Sequence, residues 1–261
     1  MSLRDDALEM HRENQGKLEI TPNVKVTNKQ QLSLAYSPGV AEPCKEIHED
    51  SRKVYEYTIK GNTVAVVTDG TAVLGLGNIG AEASIPVMEG KAALFKSFAG
   101  INGVPIALDT TDTQEIIKTV KLIEPNYGGI NLEDISAPRC FEIEETLKKE
   151  TNIPIFHDDQ HGTAIVTMAG LINALKIVNK ELTDIKVVLN GAGAAGIAIV
   201  KLLHAYGVNN MIMCDSKGAI YSGRNFGMND TKTYVAKWTN KDKVEGLSLI
   251  HISEPTRQEA I

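Results

Sequence analysis

Two acidic pairs, Glu133-Asp134 and Asp158-Asp159, each close an apolar, strand-like run, and the glycine-rich turn Gly191, Ala192, Gly193, Ala194, Ala195, Gly196 follows the second pair after one helix-length segment. Oxygen donors gathered where strands end suit a hard divalent cation, and a glycine turn between strand and helix suits dinucleotide phosphates. Such a chain holds a Lewis acid beside a hydride acceptor, the pairing that metal-assisted oxidation needs. A carboxylate set without cysteine favours Mg²⁺ or Mn²⁺ over zinc. The plainer reading of these acids is helix capping, because Asp134 and Asp158 or Asp159 precede helical patterns. His157 and His161 flank the second pair and are read as bystanders, since a hard cation does not require nitrogen.

Lys91 stands in a helical pattern with Val87, Met88, Leu94 and Phe95 three and four positions away, all apolar. That spacing predicts a place on the buried face, where desolvation disfavours the ammonium form and fits a lysine for general-base work. A lysine snorkelling at a helix edge is the alternative. Tyr36 precedes Ser37-Pro38-Gly39, a turn that would hold its phenol in a crevice as a proton donor; packing is its plainer role.

The pattern GxGxxG occurs twice, at Gly75, Gly77, Gly80 and at Gly191, Gly193, Gly196. A dinucleotide turn needs a strand before it, a helix after it and an acid closing the next strand to take the ribose hydroxyls. Only the second copy has all three, with Asp215 after Met211 to Cys214 as the acid; the first is read as a backbone turn. A negative Asp215 would repel a 2′-phosphate and so favours NAD, with NADP as the alternative because Lys217 is near.

These residues need a frame that brings strand ends together. After an amphipathic opening helix ending near Gly16, residues 17–53 read as an irregular wrapping segment broken by Pro22, Pro38-Gly39 and Pro43. Strand-like and helix-like runs then alternate: 64–68, 81–98, 104–108, 113–123, 129–132, 138–150, 153–156 and 163–178. Alternation of this kind implies a parallel sheet flanked by helices. A second unit begins at 186–189, with the glycine turn, a helix to Tyr206 and a strand at 211–214, and the boundary falls near 180–184. Residues 247–261 follow neither period.

At 261 residues and 43% hydrophobic content the chain is long and apolar enough for packed cores. Its formal net charge of -6 lacks the basic excess that nucleic-acid binding needs, so small molecules are the expected partners. The charged start has no apolar signal core and no run reads as membrane-spanning, which points to the cytoplasm. Cys44, Cys140 and Cys214 lack metal-ligand or disulfide spacing.

The segments LSLAYSPGVAEPCK, VTDGTAVLGLGNIG, PVMEGKAALFKSFAGI, INLEDI and PIFHDDQHGTAIV together resemble the bacterial malic enzymes, over a stretch reaching about residue 245. The resemblance implies an α/β chain: an N-terminal parallel-sheet malic domain over residues 1–182, a partial Rossmann-like NAD-binding domain over 183–246, and a non-matching tail over 247–261. It implies oxidative decarboxylation of malate to pyruvate and CO2 with reduction of NAD or NADP, by a homodimer. Lys91 would be the general base and Tyr36 the proton donor. Glu133, Asp134 and Asp159 would hold the metal, Asp158 being a neighbour, and the glycine turn with Asp215 would hold the cofactor. Two departures stand out. The eukaryotic members' arginine for the substrate carboxylate is missing from Asp69-Gly70-Thr71-Ala72-Val73-Leu74, and residues 247–261 do not follow the family's continuation. Two rival readings are a metal-independent amino-acid dehydrogenase, which also couples a lysine to a dinucleotide fold, and an inactive fragment of a malic enzyme.

Overall fold

A computed structural model describes residues 2–246, so the reading of 247–261 as a departing tail lies outside the described residues. The chain divides into two compact units, Met1–Ile135 with Ile143–Phe156, and Ser136–Glu142 with His157–Ile261.

The first unit opens with helices α1 (Leu3–Asn14), α2 (Lys29–Ala35), α3 (Ala41–Glu49) and α4 (Val54–Tyr57). The expectation of an irregular segment over 17–53 is therefore corrected. Asn28 starts α2 by accepting a hydrogen bond from the Gln31 backbone N–H on its side chain. Pro43 falls in the first turn of α3, where a missing N–H costs nothing. None of these four helices contains a buried residue.

The sheet follows. Strands β1 (Thr63–Thr68), β2 (Asn102–Ala107), β3 (Gly129–Leu132) and β4 (Ile155–His157) lie in the order β2-β1-β3-β4. β1 pairs in parallel with both β2 and β3, in register Val67 to Ile106 and Val67 to Leu132. Ala65, Val66, Val67 and Leu132 are wholly buried, as an apolar run in a strand covered on both faces must be. Helices α5 (Gly80–Ala99), α6 (Thr113–Ile123) and α7 (Arg139–Glu150) complete the alternation. α5 lies so close to β2 that a Cβ on Gly103 would stand 2.7 Å from Ala92 Cα, which fixes the helix carrying Lys91 against the sheet.

In the second unit, α8 (Asp158–Val178) leads to β5 (Lys186–Asn190), α9 (Ala194–Ala205) and β6 (Asn210–Asp215). β5 and β6 are parallel, as the predicted βαβ unit requires. Beyond the sequence reading, β7 (Gly218–Ala219) returns antiparallel to β6 and α10 (Asp230–Ala236) follows. The core joins Met168 of α8, Ile197, Val200 and Leu203 of α9, Met211 and Met213 of β6, Ile220 and Val235.

One further expectation changes. α8, at 21 residues and a mean hydropathy of 1.3 over its most apolar window, is long and apolar enough to cross a bilayer. It packs with α9 through Met168 and carries acids in its first turn, while Ile165, Val166, Ile177 and Val178 stay exposed.

Leu203 is buried among these side chains, and Trp238, the chain's single tryptophan, packs against the same cluster. Leu203→Ala is expected to destabilise the second unit by about 2–5 kcal/mol. Urea unfolding followed by Trp238 fluorescence measures it; an unchanged midpoint would contradict this packing.

Candidate active site

Because β1 and β3 run in parallel, their carboxyl ends lie on the same side of the sheet, where ligands of open α/β sheets gather. β1 ends into Asp69 and β3 into Glu133 and Asp134, all three buried. Glu133 donates its backbone N–H to Val67 O at 2.8 Å, so the sheet ladder itself places this acid. Its side chain is held at both oxygens: Lys91 Nζ lies 3.1 Å from Oε1, and Asn131 Nδ2 donates to Oε2 at 2.7 Å. Asp134 has a φ of 55°, a left-handed conformation that aspartate tolerates better than most residues, and its carbonyl accepts from Ala72 N at 2.9 Å. Asp69 accepts from the backbone N–H and hydroxyl of Thr71 at 3.1 and 2.6 Å.

Lys91 departs from its expected burial. Met88 is covered, but Val87 and Leu94 are exposed, and the Lys91 side chain keeps 22% of its surface. An apolar neighbourhood on one helix did not predict coverage from other elements. What the structure supplies instead is a carboxylate partner. Tyr36, at 69% exposure, is not in the crevice expected of its turn.

Asp159 belongs to the second unit, in the first turn of α8 directly after β4, the strand beside β3. Its Oδ2 is 3.7 Å from Nε2 of the buried His157. The capping alternative fails for both acidic pairs. The N-cap of α8 is His157, without a side-chain cap bond, and α7 begins at Arg139, well past Asp134. A buried, all-oxygen donor pair at a strand end has the chemistry a hard divalent cation requires.

The glycine turn has the form a dinucleotide needs. Asn190 pairs with Cys214, and Gly191 donates to Cys214 O at 2.9 Å, so the turn leaves the sheet beside the strand that ends in Asp215. Gly191 has a φ of 129°, and a Cβ on Gly196 would stand 2.0 Å from Gly191 O. A Cβ on Gly193, the N-cap of α9, would meet nothing within 4 Å: the helix N-terminus there is open to an anion. Ala192, Ala194 and Ala195 complete the turn. The first glycine pattern is a loop instead, with Val73 bridged to Gly77 and positive φ at Gly75, Gly77 and Gly80.

Asp215 does not present the bare negative charge on which the NAD preference rested. Arg224, whose side chain is wholly buried, donates from Nη1 to Oδ1 at 3.1 Å and from Nη2 to Oδ2 at 2.5 Å. Lys232 Nζ donates to Oδ2 at 2.7 Å, and the Lys217 backbone N–H to Oδ1 at 2.9 Å. Burial alone would raise the Asp215 pKa, but the bonds from Arg224, Lys232 and Lys217 outweigh it and hold the carboxyl well below its usual range. Sequence reasoning missed Arg224 and Lys232, which stand 9 and 17 residues from Asp215 with no local pattern to mark them. It also passed over Asp69 as a third buried strand-end acid.

Fold and site together define an α/β protein that carries a buried acid pair at the carboxyl end of a parallel strand and a glycine turn opening the helix of a parallel βαβ unit. Residues 15–148 match the family model for the malic enzyme N-terminal domain and residues 160–257 that for the malic enzyme NAD binding domain, a span that enters the segment read as a departure. The chain belongs to the malic enzyme family. It is 71% identical over 246 residues to the bifunctional malic/malolactic enzyme of Bacillus subtilis, covering 94% of this chain and 60% of that protein. To the NAD-dependent malic enzyme of Geobacillus stearothermophilus it is 60% identical, covering 88% and 48%. The crystal structure of malic enzyme from Pyrococcus horikoshii superposes with a TM-score of 0.90 at 48% identity, covering 94% of this chain and 59% of that one. The chain thus spans about half to three-fifths of these relatives.

Since Asp215 has its folded pKa below the ordinary 3.8, its stabilisation is fully present above that value and is lost as pH falls through the lower, folded one. Asp215→Asn is expected to destabilise strongly near about pH 7, and the gap from wild type should narrow below about pH 4. Trp238-monitored unfolding across pH checks this; a gap independent of pH would contradict the assignment.

Proposed function

We propose that this chain carries the catalytic acids, the base and the nucleotide turn of an enzyme that oxidatively decarboxylates malate to pyruvate and CO2 with NAD or NADP. The observation that carries the reading is the Lys91 amine 3.1 Å from the buried Glu133 carboxylate at the end of β3, in a chain of this family. Glu133, Asp134 and Asp159 are the proposed ligands of Mg²⁺ or Mn²⁺. Support comes from the burial of the first two, and from the place of Asp159 immediately past β4 in the strand order. Residues 1–182 would hold metal and substrate and 183–246 the cofactor; this division is one of chemistry, since α8 packs with the second unit.

When bound, the cation supplies Lewis acidity and the dinucleotide accepts hydride. Lys91 would take the proton of the substrate C2 hydroxyl as the neutral amine, once a bound cation replaces it as the positive partner of Glu133, whose carboxylate keeps the amine in place for that transfer. After CO2 leaves, Tyr36 gives its phenolic proton to C3. That role requires cover over an exposed phenol, in keeping with the proposed homodimer: Leu34 and Ile20 near it in sequence are also exposed, and α1 to α4 bury nothing in the single chain. The glycine turn seats the pyrophosphate on the α9 N-terminus. Family membership weighs against the metal-independent amino-acid dehydrogenase.

With malate, NAD or NADP and Mn²⁺, pyruvate and reduced cofactor are expected to form. Lys91→Ala should lower kcat by about 10²–10⁴-fold, and EDTA should abolish turnover until Mn²⁺ is restored. Undiminished turnover in the variant would remove the proposed base, and activity surviving chelation would remove the metal.

A further inference from the structure

Every position of β3 is buried, and a strand covered on both faces calls for apolar side chains throughout. Ile130 and Leu132 comply, but Asn131 between them is polar and only 3% exposed. A buried amide costs free energy unless it is hydrogen-bonded. Its partner is Glu133, where the ladder continues through Glu133 N to Val67 O, so strand alternation sets the two side chains on one face. Asn131 Nδ2 donates to Glu133 Oε2 at 2.7 Å. An ionised carboxylate only accepts, which fixes the amide nitrogen as the atom that faces it.

The two oxygens of Glu133 are held unequally. Oε2 is bonded by a short side chain fixed to the buried strand. Oε1 meets Lys91 Nζ at 3.1 Å, a longer contact from a side chain that keeps 22% of its surface. The flexible lysine stem lets that ammonium withdraw, whereas the amide has nowhere to go. A cation that reaches Glu133 therefore exchanges with lysine at Oε1, while Oε2 keeps its donor. That difference bears on which cation fits. Ca²⁺ readily takes both oxygens of a carboxylate in a flexible shell, whereas small octahedral cations demand stricter geometry and make no such use of the second oxygen.

We infer that Asn131 is a positioning residue that restricts Glu133 to ligation through Oε1 alone, and so sets the preference of the site for a small octahedral cation over Ca²⁺. The inference rests on the reading of Glu133 as a metal ligand. An apolar side chain at position 131 would pack in β3 without the desolvation that the amide incurs, so the amide is there for the carboxylate. Removing it opens Oε2 to chelation, which favours the larger ion.

Titration of the chain with Mn²⁺, read from the EPR signal of the free ion and followed by competition with Ca²⁺, tests this in wild type, Asn131→Leu and Asn131→Ala, each checked for folding by its thermal transition. Wild type should hold Mn²⁺ more tightly than Ca²⁺. In both variants the ratio of the Ca²⁺ to the Mn²⁺ dissociation constant should fall about tenfold, because one charge-assisted hydrogen bond no longer competes for Oε2. An amide that served only to satisfy a buried carboxylate would weaken both ions together and leave the ratio alone. A ratio that does not fall in a folded variant therefore overturns the inference. Wild type binding Ca²⁺ as tightly as Mn²⁺ overturns it without any variant. Absence of saturable Mn²⁺ binding to wild type overturns Glu133 as a ligand, and the role of Asn131 with it.

Discussion

A carboxylate removed from water must have a positive partner, and the geometry of the first unit follows from meeting that need at Glu133. An unpaired buried carboxylate costs several kcal/mol, which would exceed the gain from closing β3 on that residue. The parallel register of β1 and β3 forces the acid to the sheet edge. Lys91 and Asn131 then fix its two oxygens. The close approach of α5 to β2 at Gly103 and Ala92 is what allows the helix to deliver a lysine there. Sheet register, helix packing and site chemistry are thus one constraint seen at three scales.

The second unit solves the same problem differently. Asp215 is covered by two cations and a backbone N–H, so its negative charge is more than balanced before any nucleotide arrives. Charge at this position, taken from one residue type, gives the wrong sign for the local field. Of the charged side chains around Asp215, Arg224 is the most firmly tied, through the Gly218, Ala219 and Gly227 carbonyls.

Much of the frame was legible because local rules and tertiary packing agree. α6 spans Thr113–Ile123 as read, since Asp112 caps it through the Glu115 N–H and the face formed by Ile116, Ile117 and Val120 is buried. β3 matches its apolar run at Gly129–Leu132. The segment before β1 was misread because Pro43 was counted as a breaker, although its first-turn place in α3 is one that proline tolerates. Lys91 was found by helical spacing, but its exposure depends on other elements, which spacing on one helix does not encode. Nothing around Arg224 distinguishes it from a surface arginine until the hairpin of β6 and β7 folds it onto Asp215. Asp69 follows the β1 run but was passed over, because only the pairing of β1 with β3 brings it level with the other strand-end acids.

The central claim is that the strand-end acids hold a divalent cation beside Lys91. Titrating the chain with Mn²⁺ and following the EPR signal of the free ion tests it without any turnover. The account predicts saturable loss of free signal for the wild-type chain, with binding lost in Glu133→Gln and in Asp134→Asn while both variants remain folded. Equal Mn²⁺ binding by wild type and either variant would contradict it.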